Sequence, residues 1–237
     1  MSDRSAFEAG QPIRGGIPVV FPQFAGLGPL VKHGFARTAQ WSFAGAGETQ
    51  DGASASFTLE SSAATLSAWP GIFRLALVAT LRRDRLEVEL RVANGGAHAF
   101  SFAAALHTYL RVSDAATARL GGLMGVRYRE REASGVGVER RAAVTAAEPI
   151  DRVYFVPPPA LRLEDAGRIL AIEQRGFTDT VVWNPGEELA ARMPDMAPEG
   201  YRRMLCVEAA AIEPLVRLDP GSSWAGAQAI TISRAVA

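Results

Sequence analysis

Two short segments near the N-terminus carry side chains suited to binding an anion. Residues 12–18 read Pro-Ile-Arg-Gly-Gly-Ile-Pro, and residues 32–37 read Lys-His-Gly-Phe-Ala-Arg. Gly15 and Gly16 can adopt positive φ and let a ligand approach the main chain, while the flanking prolines stiffen the loop. The pattern predicts a rigid loop that holds an anion such as the phosphate of a sugar phosphate. Its basic residues are Arg14, Lys32, His33 and Arg37.

Two predicted strands further along the chain each carry one group that could move a proton. In residues 100–109, large apolar side chains alternate with a second face of small and polar residues that includes His107 and Tyr109. In residues 204–212, Glu208 is the only charged residue, and burying it without a partner or ligand would be costly. Alanines two positions away leave room beside both groups. A floor of small side chains with one His and one Glu is what a sugar-binding cleft needs.

Each candidate also has a purely structural interpretation. A histidine in a strand is more often a hydrogen-bonded structural residue than a catalytic one, and Glu208 could form a structural ion pair with an arginine. Asp151 lies just before a proline run and could be a turn residue. Cys206 is most simply a small core side chain. The sequence motifs considered so far leave these alternatives open.

Spacing excludes several other kinds of site. No Gly-Lys-Ser/Thr follows the Arg-Gly-Gly segment, so it is not a P-loop, and the glycines form no dinucleotide-binding fingerprint. Three histidines and one cysteine lack the spacing of zinc ligands, so no metal site is predicted. No Gly-x-Ser-x-Gly elbow of a serine hydrolase is present.

Composition limits the partners and the compartment. The 237 residues are 48% hydrophobic and 21% charged, which is typical of a globular protein that can bury a large core. Lys and Arg total 25 and Asp and Glu total 25, so the net charge of zero makes nucleic acid and anionic membranes poor partners. A single cysteine allows no internal disulfide and fits a reducing cytoplasm. We find no signal peptide and no transmembrane run.

The chain reads as many short strands separated by turns, which favours an all-β sandwich or barrel in one domain, residues 1–237. Residues 84–92 alternate strictly and pair with residues 72–81 through a tight turn, which predicts a hairpin. The small, polar residues 45–56 are expected to form a surface loop. The other predicted strands are residues 100–110, 136–145, 168–174, 180–183, 204–212 and 228–233.

The ordered motifs resemble the hexose-6-phosphate mutarotases, the glucose-6-phosphate 1-epimerase branch of the aldose 1-epimerase family. The most specific are Pro-Ile-Arg-Gly-Gly-Ile-Pro-Val-Val-Phe-Pro-Gln-Phe at residues 12–24 and His-Gly-Phe-Ala-Arg at residues 33–37. Further matches follow in the same order: Ala-Leu-His-Thr-Tyr, Asp-Arg-Val-Tyr, Val-Val-Trp-Asn-Pro and Cys-Val-Glu. The likeness runs from about residue 2 to the C-terminus.

The resemblance implies a large antiparallel β-sandwich, galactose mutarotase-like, with the sugar in a cleft across one sheet. It implies that His107 is the general acid and Glu208 the general base, and that His33 and Asp151 bind or orient the sugar. It implies that Arg14 and Arg37 contact the substrate, Arg37 at the phosphate. Ring opening and closure involve no redox step, so no cofactor is expected.

Three functions from different classes are therefore compared. The first is the interconversion of the α and β anomers of a hexose 6-phosphate. The second is a non-catalytic carbohydrate-binding sandwich, which would not need an acid–base pair. The third is a glycosidase that uses Asp151 and Glu208, since two carboxylates are its usual requirement. Members of the family carry further strands before the segment matched by residues 2–7, so the sandwich is expected to lack its first strands.

Overall fold

The structure, a computed structural model, describes residues 1–130 and 135–234. Its regular structure is mostly β-strand, numbered here in chain order. The strands are Val19–Val20 (β1), Ser42–Thr49 (β2), Gly52–Glu60 (β3), Phe73–Arg82 (β4), Arg85–Asn94 (β5), Phe100–Leu106 (β6), Tyr109–Arg111 (β7), Arg119–Gly121 (β8), Arg127–Glu130 (β9), Val136–Val138 (β10), Ala143–Val144 (β11), Ile150–Phe155 (β12), Ala160–Asp165 (β13), Arg168–Arg175 (β14), Asp179–Asn184 (β15), Met204–Leu218 (β16) and Ser223–Arg234 (β17). The helices are Ala63–Ala68 (α1), Gly186–Ala191 (α2) and the 3₁₀ turn Gly200–Arg203. No helix in the described ranges is long and apolar enough to cross a membrane.

The strands form two antiparallel sheets. The first sheet has the order β1-β6-β16-β15-β12-β9-β10, with β7 paired to β16 as its eighth strand. The second sheet has nine strands in the order β11-β8-β13-β14-β17-β5-β4-β3-β2. Neighbouring strands pair antiparallel, for example β6 with β16 and β4 with β5. The predicted all-β antiparallel sandwich is confirmed.

The two sheets pack face to face through side chains that alternate inward along each strand. Leu90 of the second sheet joins Leu106 and Ala209 of the first in one buried cluster. Leu163 of the second sheet joins Val207 of the first in another. Burying a leucine of this kind contributes about 1.5–3 kcal/mol, so these alternating positions hold the two sheets together.

The opposite face of the first sheet is also buried at its centre. Val181 and Trp183 of β15 and Cys206 and Ala210 of β16 cluster there with Phe24, from the loop after β1. The two predicted faces of residues 204–212 are therefore confirmed: one joins the core between the sheets, and the other lies under the N-terminal loops. This second, partly covered face is the one that carries Glu208.

The predicted hairpin of residues 72–81 and 84–92 is confirmed as β4 and β5, but the predicted surface loop at residues 45–56 is wrong. Those residues form much of the β2–β3 hairpin, and β3 pairs with β4 from Gly52↔Arg82 to Glu60↔Arg74. Small polar residues have weak strand preference by themselves. The open edge of β4 supplies the backbone hydrogen bonds that make this segment a strand, and composition alone does not reveal that edge.

Two other predicted strands are each interrupted in the structure. β6 ends at Leu106 and β7 begins at Tyr109, so the strand predicted over residues 100–110 breaks at His107. The strand predicted over residues 136–145 is two strands in different sheets, since β10 pairs with β9 and β11 with β8. The chain crosses between the sheets at the interruption, where it inserts the carboxylate of Glu139.

Glu139 is the centre of a buried polar cluster between the sheets. It is 3% exposed and accepts hydrogen bonds from Arg141 (2.8 Å), Arg152 (3.0 Å) and the Tyr154 hydroxyl (2.8 Å). Burial by itself would raise the pKa of Glu139, but the bonds from Arg141 and Tyr154 outweigh it and lower the pKa to about 2. The ionised form is therefore the one that stabilises the fold.

Glu139→Gln is expected to lower the free energy of unfolding at pH 7 by about 3 kcal/mol, because it leaves the largely buried Arg152 and the buried Tyr154 hydroxyl without their charged partner. The folded-state pKa lies below the unfolded value of about 4.3. The stabilisation is therefore fully present above about pH 4.3 and is lost as pH falls towards 2. Urea unfolding at pH 7 and pH 3 measures it, and the difference between wild type and variant should shrink at pH 3.

The matched control is Glu130→Gln. Glu130 pairs with the same arginine, Arg152, but its side chain is 49% exposed, so its removal should cost less than about 1 kcal/mol. Equal losses for the two variants, or a Glu139→Gln effect that does not change with pH, would contradict the role of the buried carboxylate.

Candidate active site

A cleft of about 170 Å³ opens on the covered face of the first sheet. Its walls come from the loops on either side of β1 and from a segment that contains Asp195. All six residues predicted to form the site line this cleft: Arg14, His33, Arg37, His107, Asp151 and Glu208. The fold thus gathers side chains that are almost 200 residues apart in the sequence, while the role of each remains a prediction.

His107 lies at the break between β6 and β7, where its backbone N–H donates to the carbonyl of Pro18 (3.0 Å). Its ring is stacked on Tyr109, with centroids 4.9 Å apart and planes 8° apart. It meets Trp183 and His33 edge to face, at 5.9 and 5.5 Å between centroids. Three rings and one backbone bond therefore hold the imidazole, which is 7% exposed, in one orientation at the cleft floor.

Glu208 is 1% exposed and lies on β16 beside the same floor. Its Oε1 is 3.3 Å from Nδ1 of His107, so the side chain in contact with Glu208 is this histidine and not an arginine. Its Oε2 is buried and has no hydrogen-bond partner among the described residues. The two strands thus bring a titratable base and a titratable acid into direct contact.

Burial and nearby cations decide the protonation of His107. Burial, together with the positive charges of Arg37, Arg14 and Lys32, lowers its pKa to about 3. Glu208 is in contact with the ring, but desolvation and the cationic wall favour the neutral imidazole in the cleft.

The carboxyl of Glu208 is shifted in the opposite direction. Burial raises its pKa well above the ordinary value for glutamate, and the negative charge of Asp151 raises it further. Both members of the pair therefore disfavour their charged forms in the open cleft. One proton held by the pair can reside on the carboxyl or on Nδ1 of His107, 3.3 Å away.

Arg14 is held by two neighbours that face the cleft. Its Nε lies 2.9 Å from Asp195 Oδ2, and its Nη1 donates to the hydroxyl of Tyr109 (3.2 Å). Burial by itself would lower the pKa of Arg14, but the bond to Asp195 raises it above its ordinary value. Gly15 has φ +119°, and a Cβ there would lie 2.5 Å from the Cα of Met1. The positive φ predicted for Gly15 is confirmed.

Arg37 and Lys32 form the cationic wall of the cleft. Nη2 of Arg37 donates to the backbone carbonyl of Lys32 (2.9 Å), which fixes the guanidinium against its own loop. Nε of Arg37 is buried and has no hydrogen-bond partner among the described residues, and burial lowers the pKa of this arginine. A buried donor of this kind suits an anionic ligand, because charge-assisted bonds are the strong ones.

His33 is positioned by a left-handed turn. Its φ is +69°, its N–H donates to the carbonyl of Ala25 (2.9 Å), and its Nδ1 accepts from the N–H of Ala25 (3.3 Å). The neutral ring therefore carries its hydrogen on Nε2. Gly34 follows with φ +67°, where a Cβ would lie 2.2 Å from the carbonyl oxygen of Phe21. The turn presents His33 to the cleft as a donor.

Asp151 lies in the strand β12, opposite Trp183 of β15, and lines the cleft. The interpretation of Asp151 as a turn residue is therefore wrong: the turn comes later, at residues 156–159, after β12 has ended. In the first sheet β15 lies between β16, which carries Glu208, and β12, which carries Asp151. The two carboxyl groups are therefore two strands apart on the cleft floor.

A buried amide from the second sheet reaches the backbone beneath the pair. Gln228 of β17 donates through Nε2 to the carbonyl of Val207 (3.0 Å) and accepts from the hydroxyl of Thr108 (2.5 Å). Thr108 follows His107 and Val207 precedes Glu208 in the sequence. One side chain therefore ties both strands at the level of the two titratable groups.

Among the lining residues that were absent from the predicted site, four contact its polar groups or place a charge beside them: Lys32, Tyr109, Trp183 and Asp195. The sequence contains features that could have indicated three of them. Lys32 belongs to the basic segment of residues 32–37, and Tyr109 lies on the same predicted strand face as His107. Trp183 lies in a predicted strand. Asp195 lies in no predicted element and no motif, and only its contact with Arg14 reveals it.

Fold and cleft together define a β-sandwich protein with a buried contact between a histidine and a glutamate on the covered face of one sheet. The sequence pattern described as aldose 1-epimerase matches residues 3–231, and the chain belongs to the aldose 1-epimerase family.

Individual relatives agree with this assignment. A protein from Cenchrus ciliaris, named as a candidate glucose-6-phosphate 1-epimerase, is 32% identical over 242 residues, which cover 98% of this chain and 74% of the relative. A protein of the same name from Salmonella typhimurium is 34% identical over 214 residues, covering 88% and 70%. The crystal structure of a candidate mutarotase from Salmonella typhimurium superimposes with a TM-score of 0.91 at 30% identity, covering 99% of this chain and 79% of that one.

Proposed function

We propose that this protein interconverts the α and β anomers of a hexose 6-phosphate, with glucose 6-phosphate as the first substrate to test. The observation that carries the proposal is the contact between His107 and Glu208 on the floor of a cleft whose wall presents Arg37 and Lys32. The pair suits proton transfer at a sugar ring, and the wall suits a phosphate. The names of the relatives point to the same substrate.

Ring opening needs a base at the anomeric hydroxyl and an acid at the ring oxygen. Glu208 removes the proton from the anomeric hydroxyl, and His107 protonates the ring oxygen as the C1–O5 bond breaks. The C1–C2 bond then rotates, and the ring closes on the other face with the two transfers reversed. Positioned groups of these types each contribute about 10²–10⁴-fold to the rate.

In the cleft without substrate, Glu208 and His107 differ from this arrangement by the transfer of one proton. Moving one proton from Glu208 to Nδ1 of His107, across 3.3 Å, creates a carboxylate base and an imidazolium acid together. A phosphate at Arg37 and Lys32 would offset the positive charge that lowers the pKa of His107. The phosphorylated substrate therefore favours the reactive form of the pair.

The remaining predicted residues fit binding roles. His33 carries an Nε2–H donor and Asp151 a carboxylate acceptor on the walls of the cleft, and a sugar hydroxyl can bond to both kinds of group. Arg14 is already oriented by Asp195 and Tyr109, which suits a contact with the sugar. Arg37, whose Nε is unpaired within the described ranges, suits the phosphate.

The two other functions are less consistent with the cleft. A non-catalytic binding module has no need of a buried acid–base pair, whose desolvation costs stability. A glycosidase would need two carboxylates on either side of the bond to be cleaved, whereas the partner that Glu208 contacts is a histidine.

The experiment that tests the function is two-dimensional exchange NMR on the anomeric protons of glucose 6-phosphate, with glucose and galactose as comparison substrates. We expect the protein to accelerate anomer exchange of the phosphorylated sugar most. Release of a labelled aglycone from a glycoside would favour the glycosidase. Binding of the sugar without faster exchange would favour the binding module.

Gln228→Met is expected to lower kcat for anomer exchange by about tenfold or more while KM changes by less than about threefold, because small displacements of catalytic groups are costly. The variant keeps the shape of the side chain but removes its bonds to Thr108 and Val207. Asn94→Ala is the matched control, since Asn94 is also buried and bonds to the carbonyl of Leu218 in another part of the core. Equal loss of kcat in both variants would contradict a positioning role.

A further inference from the structure

A group of three side chains at the cleft floor includes a cysteine, which the proposed acid–base chemistry does not require. Cys206 and Glu208 stand two residues apart on the same face of β16, and His107 follows the end of the neighbouring strand β6. One donor atom from each lies within 4.8 Å of the others, and all three residues are buried. Sequence spacing predicted no metal site, because the fold brings the histidine to the other two from about 100 positions away.

Two atoms of this group are buried without a hydrogen bond. Nδ1 of His107 and Oε2 of Glu208 have no hydrogen-bond partner among the described residues, and their residues are 7% and 1% exposed. A buried polar atom without a partner is costly, and a missing ion or ligand is one explanation for it. Both atoms can coordinate a metal.

We propose that His107, Cys206 and Glu208 form a zinc site, and that bound zinc reversibly blocks the cleft. The first part of this proposal, the binding half, is that the three residues bind zinc, and it depends on their geometry alone. The second part, the blocking half, is that bound zinc inhibits the protein. It rests on the proposed function, because it assumes that His107 and Glu208 act on the sugar.

The ligand set selects zinc over the common hard cations. A thiolate, an imidazole and a carboxylate are the three ligand types of protein zinc sites, whereas magnesium and calcium prefer oxygen donors alone. Binding releases the thiol proton of Cys206 and the carboxyl proton of Glu208 to solvent, and the resulting thiolate and carboxylate balance the two charges of the ion. His107 and Glu208 line the cleft, so the ion has a path from solvent and the fourth position faces the cleft.

Chelation requires a small movement of the side chains. Zinc–ligand bonds of about 2.0–2.3 Å place tetrahedral ligand atoms roughly 3.3–3.8 Å apart. The contact between His107 and Glu208 already has this length, at 3.3 Å. The thiol of Cys206, within 4.8 Å of both, has to approach by about 1 Å, which a change of its side-chain torsion supplies.

Zinc and the sugar phosphate compete for the same groups. An imidazole and a carboxylate that coordinate a metal can no longer exchange protons with a sugar. The phosphate is attracted by Lys32 and Arg37, which repel a cation. We therefore expect zinc inhibition to weaken as the concentration of glucose 6-phosphate rises and to be reversed by a chelator.

The binding half is tested by titrating the purified protein with cobalt(II) and recording near-ultraviolet absorption. The chain has one cysteine, so any thiolate-to-cobalt charge-transfer band reports Cys206. We expect the band in the wild type, its loss on addition of zinc, and its absence in Cys206→Ser and Cys206→Ala. A wild-type protein without the band would overturn the site, whether or not the protein is an epimerase.

The blocking half is tested by zinc inhibition of anomer exchange. Cys206→Ser and Cys206→Ala are expected to keep most of the basal rate and to need about tenfold more zinc for half-inhibition. His98→Ala is the matched control, since His98 is exposed and its removal should leave inhibition unchanged. Unchanged zinc sensitivity in both Cys206 variants would overturn the blocking role. A cobalt band in a protein without exchange activity would refute the proposed function and leave the metal site standing.

Discussion

Glu208→Gln is expected to lower kcat for anomer exchange of glucose 6-phosphate by about 10²–10⁴-fold. The amide has nearly the same shape as the carboxylic acid but cannot accept the proton of the anomeric hydroxyl. The fold should survive, because the substitution replaces a buried carboxyl by a neutral group and avoids the desolvation of a charge. Exchange NMR gives the rate, and urea unfolding checks stability.

His107→Asn is expected to cause a loss of similar size. Asparagine can donate a hydrogen bond to the ring oxygen but cannot transfer a proton to it. If the two groups act together, the double variant should be little slower than either single one, since groups that act as a unit are not additive. A double variant that loses the product of the two single effects would contradict a coupled pair.

The matched control is His98→Asn, on the exposed surface, which should retain the wild-type rate. Wild-type activity in Glu208→Gln or in His107→Asn would overturn the mechanism. The wild-type pH profile adds a further check. Because the pair reacts while it holds one proton, and burial keeps that proton on Glu208 by raising its pKa, kcat/KM should fall on the alkaline side, where the pair loses the proton.

Arg37→Met is expected to raise KM for glucose 6-phosphate by about 10–100-fold, with a change of less than about threefold for glucose. A charge-assisted hydrogen bond is worth about 1.5–3 kcal/mol, and only the phosphorylated sugar would lose one. Methionine keeps the apolar stem of the side chain. Steady-state exchange rates over a range of each sugar concentration give the two KM values.

Arg37→Lys separates charge from geometry. A lysine keeps the positive charge but lacks the planar fork of arginine, so we expect an intermediate KM for the phosphorylated sugar. Arg4→Met provides the control, because Arg4 is exposed and does not line the cleft. If Arg37→Met raised KM equally for glucose and for glucose 6-phosphate, Arg37 would not bind the phosphate, and Arg14 and Lys32 would be the next residues to test.

The strands that could be predicted from the sequence are those in which apolar and polar side chains alternate strictly. The periodicity of residues 84–92 reports one apolar and one polar face, and Val88, Leu90 and Val92 are indeed buried. A backbone requirement was also readable at Gly15, which has the predicted positive φ and where a side chain would collide with the main chain of Met1. Local sequence carries such information because alternation and φ are properties of neighbouring residues.

Segments that depend on distant partners were not predictable in the same way. The β2–β3 hairpin forms because β4 offers it an edge, and β12 is a strand because β15 and β9 lie on either side of it. Asp195 lines the cleft and contacts Arg14, which is 181 positions away in the sequence. These pairings join residues far apart in the chain, and no local pattern encodes them.

The sequence by itself determined the residue types of the site, the faces of the two strands that carry His107 and Glu208, and the family to which its motifs point. Only the tertiary structure decided that these two side chains touch, that Cys206 lies beside them, and that burial opposes the charge on each. The physical reason is that contact and desolvation arise when β6 and β16 pair beneath the N-terminal loops, whereas residue type and alternation exist before any packing.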